Sequence, residues 1–214
     1  ETDFDPDWLT QAIDLTDKPV HNPPVSPEDA GSQERLLRYM TVVPVIARRP
    51  IIDLVAEHLT QEEPVVDASY RILSNVRNFR FNEMEYSVPL DAGAACLREI
   101  LATIDEQGID VVFPIEYRYV AGDDLWLSMF SGGPRAAISV HQDARFDYRP
   151  YFDAVEPIFW KHGGRPHWGK LHSLTFKELS VLYPSFGEFL ELRESLDPTG
   201  RMLNPHLRAL FGIA

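Results

Sequence analysis

The clearest pattern of apolar and polar positions lies between Arg80 and Val88, where the two kinds of residue alternate along the chain. Alternation with a period of two predicts a β-strand whose two faces differ in polarity. Pro89 ends this strand, Asp91 is placed to cap a following helix, and Gly108 closes that helix. The predicted helix has an apolar stripe at helical spacing, formed by Ala94, Leu97, Ile100, Leu101 and Ile104. We expect this helix to pack on a sheet.

Three further strands are predicted in quick succession, at residues 110–120, 125–130 and 136–142. Glycine-containing turns at residues 122–124 and 132–134 join them. Connections this short favour an antiparallel meander. Upstream of them, the chain from residue 65 to residue 89 is predicted to be extended.

Helical spacing predicts further helices outside the strands. Residues 33–59 suit two short helices, broken by Pro44 and Pro50. Residues 148–162 suit another, with Pro157 inside it and an apolar stripe formed by Phe152, Val155 and Phe159. Capping boxes open two short helices in the tail, namely Thr175 with Glu178 and Ser185 with Glu188.

The order of these elements predicts the fold class. Residues 1–32 are acidic and proline-rich, so we expect an extended loop there and a folded domain over residues 33–214. Strands with short links, interleaved with helices, predict an α+β fold in which helices pack on one face of an antiparallel sheet. The other face of the sheet is then free to cover something.

Composition and charge exclude several classes of function. Hydrophobic residues make up 44% and charged residues 25%, as in ordinary globular domains. A formal net charge of −13 argues against nucleic acid as a partner. Cys96 is the single cysteine, which excludes an internal disulfide and a thiolate zinc site and suits a small core residue. No apolar run approaches the roughly 20 residues that span a bilayer, so we expect a soluble protein. The chain begins at Glu1 without a signal-peptide pattern, so the sequence does not determine its location; a cytoplasmic protein is the first expectation, and one associated with a membrane surface is the alternative.

The strand predicted at residues 110–120 carries a pair of opposite charges. Glu116 and Arg118 share one face of it, with Cα atoms about 6.5 to 7 Å apart. The opposite face would hold Phe113, Ile115, Tyr117 and Tyr119. On spacing alone, a surface ion pair of little consequence is the simpler interpretation, and a charge pair that faces a ligand is the alternative.

A second candidate is the segment of residues 162–172, where three glycines flank His167, Trp168 and Lys170. Glycines let the backbone approach a planar ligand closely, and a partly desolvated lysine would offer a fixed positive charge. The three histidines of the segment share no helical or strand face, so we predict no metal site. His141 could, on spacing alone, be a hydrogen-bonded core histidine.

Five short motifs stand out between residue 81 and the end of the chain. They are residues 81–89 (FNEMEYSVP), 113–118 (FPIEYR), 123–128 (DDLWLS), 165–170 (RPHWGK) and 197–205 (DPTGRMLNP). Together and in this order they resemble the C-terminal domain of the sugar 1,4-lactone oxidases. That family includes the D-arabinono-, L-gulono- and L-galactono-lactone oxidases and dehydrogenases. It is related to the alditol oxidases within the vanillyl-alcohol-oxidase flavoproteins.

The resemblance implies an FAD-dependent enzyme that oxidises the CH–OH group of a sugar 1,4-lactone by hydride transfer. In that family an N-terminal domain holds the FAD, and the sheet of the C-terminal domain covers the flavin ring. This sequence has no glycine-rich phosphate loop. We therefore expect the flavin to be held mainly by a domain missing from this chain, in cis or on a separate chain. Molecular oxygen or another acceptor would take up the electrons.

The resemblance also implies roles for particular residues. Arg118 and Lys170 would stabilise developing negative charge, and Glu116 would orient Arg118 or accept the proton. Substrate hydroxyls would meet Glu83, His141 and Gln142. The residues expected near the flavin ring are His167, Trp168, Gly169 and Asn204.

Three alternatives stay open. An alditol is one alternative substrate, although alditol oxidases tend to carry an amide where Glu83 stands. A non-catalytic module that binds a sugar or a protein is the second. The third is an enzyme without flavin that uses Glu116 and His141 as acid and base.

Overall fold

The computed structural model describes residues 17–21, 39–40, 42–44, 47–48, 50–51, 54, 66–72 and 80–213. The chain divides into two compact units, Glu1–Arg80 and Phe81–Ala214. The predicted loop over residues 1–32, its boundary at residue 33 and most of the helices predicted within residues 33–59 lie outside the described residues. The first unit contains the short helix α1 (Ser69–Ile72). The prediction of extended chain from residue 65 to residue 89 is therefore wrong at this helix.

The second unit contains a four-stranded sheet and five helices among its described residues. In chain order they are β1 (Phe81–Pro89), α2 (Leu90–Glu106), β2 (Glu116–Val120), β3 (Arg135–Asp143), α3 (Arg149–Lys161), β4 (Arg165–Pro166), α4 (Phe176–Leu182), α5 (Phe186–Leu196) and α6 (Pro205–Phe211). The strands lie in the order β2-β3-β1-β4, and each neighbouring pair is antiparallel. The predicted α+β class is confirmed.

The register of the sheet separates its two faces. Tyr86 lies opposite Ile138, and Glu85 lies opposite Ser139. Because adjacent strand residues point to opposite faces, Tyr86 and Ile138 share one face and Glu85 and Ser139 share the other. We call the first the helix face and the second the polar face.

Helices α2 and α3 pack against each other and on the helix face. The Tyr86 ring stacks on Phe159 with centroids 4.8 Å apart. The Tyr86 hydroxyl donates to Oε1 of the buried Glu156 at 2.6 Å, and the Ser173 amide donates to the same oxygen at 2.7 Å. Burial and the bond to Glu156 raise the pKa of Tyr86. The buried carboxylate thus has hydrogen-bond donors, as a charge removed from water requires.

Aromatic side chains fix the C-terminal helices to the segment that follows β4. The Trp168 ring lies 5.2 Å from Tyr183 and 6.2 Å from both Phe186 and Phe211, measured between centroids. Asn204 caps α6, since its side-chain oxygen accepts a hydrogen bond from the Leu207 amide at 2.8 Å. The C-terminal helices therefore pack against the Trp168 ring.

Two strand predictions between residues 110 and 130 need correction. The strand predicted at residues 110–120 begins only at Glu116. Residues 125–130 form turns instead of a strand, because the Asp123 carboxylate accepts from the Leu125 amide at 3.0 Å and the Ser128 hydroxyl at 2.6 Å. Phe113 does not share the face of Tyr117, since its ring lies 6.2 Å from His141 on the polar face.

The strands and helices at the other predicted positions are present, with smaller differences at their ends. The predicted strand at residues 136–142 is β3, and the predicted helix at residues 148–162 is α3. Helix α2 begins after Pro89 without a side-chain cap, so the cap expected from Asp91 is wrong. The Thr175 and Glu178 capping box is confirmed, whereas Ser185 stands at an N-cap without a side-chain bond.

Gly93 provides a test of how closely α2 packs on the sheet. A Cβ atom at this position would meet the Tyr117 hydroxyl and lie 2.6 Å from the Cβ atom of Ala136. We predict that Gly93→Ala lowers the free energy of unfolding by about 1–3 kcal/mol, because overpacking outweighs the helix propensity gained. Urea unfolding of both chains measures this difference.

Gly187 in α5 is the matched control, because a Cβ atom there meets nothing within 4 Å. Gly187→Ala should be neutral or stabilise the chain by up to about 1 kcal/mol. Equal effects of the two substitutions would contradict the close packing at Gly93.

Candidate active site

Two acidic side chains of β1, Glu83 and Glu85, point from the polar face and define the candidate site. They are two residues apart on one strand, so their Cα atoms lie about 6.5 to 7 Å apart. Glu83 pairs with Lys170, and Glu85 pairs with Arg118. Each carboxylate is largely buried, and each forms an ion pair with one lysine or arginine side chain.

Lys170 and His141 both contact the carboxylate of Glu83. The Lys170 ammonium donates to Oε2, and His141 Nε2 lies 3.4 Å from Oε1. Burial by itself raises the pKa of Glu83, but the hydrogen bonds and charges of His141 and Lys170 outweigh it. Together they lower the pKa from 4.5 to about 2. Glu83 is therefore ionised at neutral pH.

His141 is enclosed at the end of the polar face. Its ring lies 5.4 Å from Phe81 and 6.2 Å from Phe113, and its Nδ1 atom lies 3.2 Å from the Pro114 carbonyl oxygen. Both ring nitrogens thus face oxygens that only accept hydrogen bonds. The contacts of His141 serve to hold Glu83 in place.

Arg118 contacts two carboxylates. Its Nη2 atom donates to Glu85 Oε1 at 2.5 Å and to Ser139 Oγ at 3.4 Å, and its Nη1 atom lies 3.3 Å from Glu116 Oε2. The shared face predicted for Glu116 and Arg118 is present. The sequence reasoning missed Glu85, although the alternation over residues 81–89 places Glu85 on the same face as Glu83.

The segment after β4 places Lys170 over the polar face. It runs along β1, with the His167 amide bonded to the Glu85 carbonyl and the Leu171 amide bonded to the Glu83 carbonyl, both at 2.9 Å. Between these points the Lys170 amide donates to the His167 carbonyl at 3.1 Å, which closes a turn. The Gly169 amide donates to His167 Nδ1 at 3.0 Å inside this turn.

The opposite end of the polar face is covered by the loop between β2 and β3. The Ser87 hydroxyl donates to the Met129 carbonyl at 2.5 Å, and an Arg165 guanidinium nitrogen donates to the Ser131 carbonyl at 2.6 Å. This loop leaves the charged end, around Glu83 and Glu85, as the candidate site.

Three predicted site residues have side chains engaged elsewhere in the fold. Gln142 points to the other face from His141, and its amide donates to the Asp110 carbonyl at 3.0 Å. Trp168 Nε1 donates to the Leu127 carbonyl at 2.8 Å, and Asn204 caps α6. The structure does not bring the polar atoms of these three residues together with Lys170 and Arg118.

Within the described parts of the chain, no group of three or more histidine, cysteine, aspartate or glutamate side chains could hold a metal ion. No helix described here has the length and apolar character needed to cross a bilayer.

Several known proteins are similar to this chain over two thirds or more of its length. It is 35% identical to the L-gulono-1,4-lactone dehydrogenase of Mycobacterium tuberculosis, over 76% of this chain and 38% of that protein. It is 33% identical to the L-gulonolactone oxidase of Mus musculus, over 67% of this chain and 34% of that protein. It is 28% identical to an alditol oxidase of Streptomyces, over 78% of this chain and 41% of that protein. The chain therefore spans less than half the length of these relatives.

The family profile described as D-arabinono-1,4-lactone oxidase matches residues 29–210. This match covers most of the chain and includes all five motifs noted in the sequence, so the resemblance inferred from them is confirmed. The chain belongs to the D-arabinono-1,4-lactone oxidase family.

Proposed function

We propose that this protein oxidises the CH–OH group of a sugar 1,4-lactone by hydride transfer to FAD, with the polar face as its substrate-binding surface. The observation that carries this proposal is the pair of cations, Lys170 and Arg118, each held by a buried carboxylate of β1. Cations fixed before the reaction stabilise negative charge as it develops on a substrate oxygen. The similarity to lactone dehydrogenases and oxidases supports the same substrate class.

The balance of charge in the site favours a neutral substrate. Three carboxylates, Glu83, Glu85 and Glu116, surround the two cations. Even with a protonated His141, the cluster has no net positive charge. A carboxylate substrate such as a 2-hydroxy acid would find no unpaired cation, whereas a lactone or polyol can exchange hydrogen bonds with the ion pairs.

Each charged residue of the site would have a separate role in the oxidation of the alcohol. As a carbon gives up a hydride, its hydroxyl loses a proton and the oxygen gains alkoxide character. Arg118 and Lys170 would hold that oxygen and strengthen their hold as charge develops, which lowers the barrier. Glu116, half-exposed and beside Arg118, would accept the proton. Glu83 would present its remaining hydrogen-bonding capacity to the other hydroxyls.

The polar face suits the ring of a flavin, because its cations can offset the negative charge that accompanies hydride transfer. When bound, the flavin supplies the acceptor for that hydride. His167 and Gly169, in the turn that places Lys170, are the residues of this chain that would lie nearest the ring. Trp168, which packs on the C-terminal helices, and Asn204, which caps one of them, would support that turn. Residues outside this chain, in cis or on a separate chain, would hold most of the FAD, and oxygen or another acceptor would complete the cycle.

A sugar alcohol is the second candidate substrate, because an alditol is also neutral and an alditol oxidase is among the relatives. Anaerobic addition of L-gulono-1,4-lactone or xylitol to the protein as its gene encodes it separates the two. The compound that bleaches the visible flavin band is the substrate. A protein that carries no flavin would overturn the proposal.

We predict that Arg118→Ala and Lys170→Ala each lower the rate of flavin reduction by about 100-fold or more, the cost of losing one donor to a developing oxyanion. Anaerobic stopped-flow absorbance measures this rate. Lys161→Ala is the control, because Lys161 is an exposed cation paired with Glu99 between α2 and α3. An unchanged rate in both site variants would remove the roles given to these cations.

We predict that Glu83→Gln makes the site accept anions. The amide keeps the shape of the side chain but leaves Lys170 without its counter-charge. L-Gulonate, the hydrolysed form of L-gulono-1,4-lactone, should then inhibit about 10- to 100-fold more tightly than it inhibits the unmodified protein, since a hydrogen bond to a charged group contributes about 1.5–3 kcal/mol. The inhibition constant against the lactone measures this effect.

Glu99→Gln is the matched control, because it frees a lysine away from the polar face. It should leave inhibition by gulonate unchanged. Equal inhibition of the Glu83 variant and the unmodified protein would argue against the charge balance proposed for the site.

A further inference from the structure

Two carboxylates contact Arg118, and they differ in burial and distance. The Glu85 side chain is 5% exposed and lies 2.5 Å from Nη2, whereas the Glu116 side chain is 41% exposed and lies 3.3 Å from Nη1. Only the Glu85 contact meets the geometry of a hydrogen bond. Glu85 is therefore the stronger partner of this arginine.

The backbone at Glu85 is also hydrogen-bonded to neighbouring segments of the chain on both sides. Glu85 lies in the middle of β1, opposite Ser139 of β3, and its carbonyl oxygen accepts from the His167 amide at 2.9 Å. Glu116 is the first residue of β2, the strand at the edge of the sheet. A carboxylate on a central strand fixes its partner better than one at the end of an edge strand.

The contacts of Arg118 leave it able to bind a further oxygen. Of its five N–H donors, Nη2 directs two to Glu85 and Ser139, and Nη1 approaches Glu116. The remaining donors are available on a side chain that is 48% exposed. Glu85 can therefore hold one edge of the guanidinium while another edge faces a substrate.

We infer that Glu85 is a positioning residue, whose buried carboxylate fixes the Arg118 guanidinium on the polar face and leaves Glu116 to contact the substrate. This inference rests on the proposed function, because it assigns Glu85 a part in the same reaction through Arg118. Glu83 and Lys170 form the corresponding arrangement two residues away on β1. β1 thus carries one buried carboxylate for each of the two cations.

A double-mutant cycle tests the inference in the flavin-loaded protein as its gene encodes it. We expect Glu85→Gln to lower the rate of flavin reduction by about 10-fold, because the ion pair with Arg118 is replaced by a weaker hydrogen bond to a neutral amide oxygen. In the Arg118→Ala background the same change should lower the rate no further, because Glu85 acts only through Arg118. Glu85→Asp, which keeps the charge, should recover part of the rate.

Controls separate this effect from loss of structure. Flavin content and thermal unfolding of each variant are measured first, and Glu85→Asp carries the comparison if Glu85→Gln does not fold. Glu99→Gln, which breaks an ion pair between α2 and α3, should leave the rate unchanged.

The outcomes are distinct. An unchanged rate in Glu85→Gln, or an equal loss with and without Arg118, overturns the positioning role while the unmodified protein still reduces its flavin. If the unmodified protein is bleached by neither lactone nor alditol, the proposed function fails, and this inference fails with it.

Discussion

The antiparallel pairing of β1 with β3 over all nine residues of each strand is the interaction on which the rest of the structure depends. A shift of this register by one residue would exchange the two faces of β1. In the observed register Met84, Tyr86 and Val88 enter the core beneath the helices, and Glu83 and Glu85 point the other way. β4 and the segment after it bond to the second edge of β1, so the backbone that carries both carboxylates is hydrogen-bonded on both sides.

Burial of these two carboxylates then constrains the neighbouring elements. A buried charge that loses its partner lowers the stability of the fold by several kcal/mol. The elements that carry the two cations must therefore place each cation beside its carboxylate. Arg118 comes from β2, and Lys170 comes from the turn after β4. The same ion pairs that complete the fold therefore assemble the candidate site. Four of the five motifs that the chain shares with the lactone oxidase family contribute a charged residue or a turn to this face or to the loop that covers it.

Much of this arrangement follows from local sequence patterns. The alternation over residues 81–89 predicted β1, and the helical stripe ending at Gly108 predicted α2, where Gly108 adopts a φ of 61°. The two-residue spacing placed Glu116 and Arg118 on one face. The same kind of pattern failed at residues 125–130, because an Asp123 side chain stabilises turns there through contacts that hydrophobic spacing does not encode.

The sequence by itself therefore determined the fold class, the principal strands and helices, and the family. Only the tertiary structure decided which charged groups meet. Arg118 and Glu85 are 33 residues apart, and Lys170 and Glu83 are 87 residues apart. It also showed that Trp168, Asn204 and Gln142 use their polar atoms to hold the fold. Periodicity reports the face on which a side chain lies, whereas its partner is set by strand register, which depends on packing between distant parts of the chain.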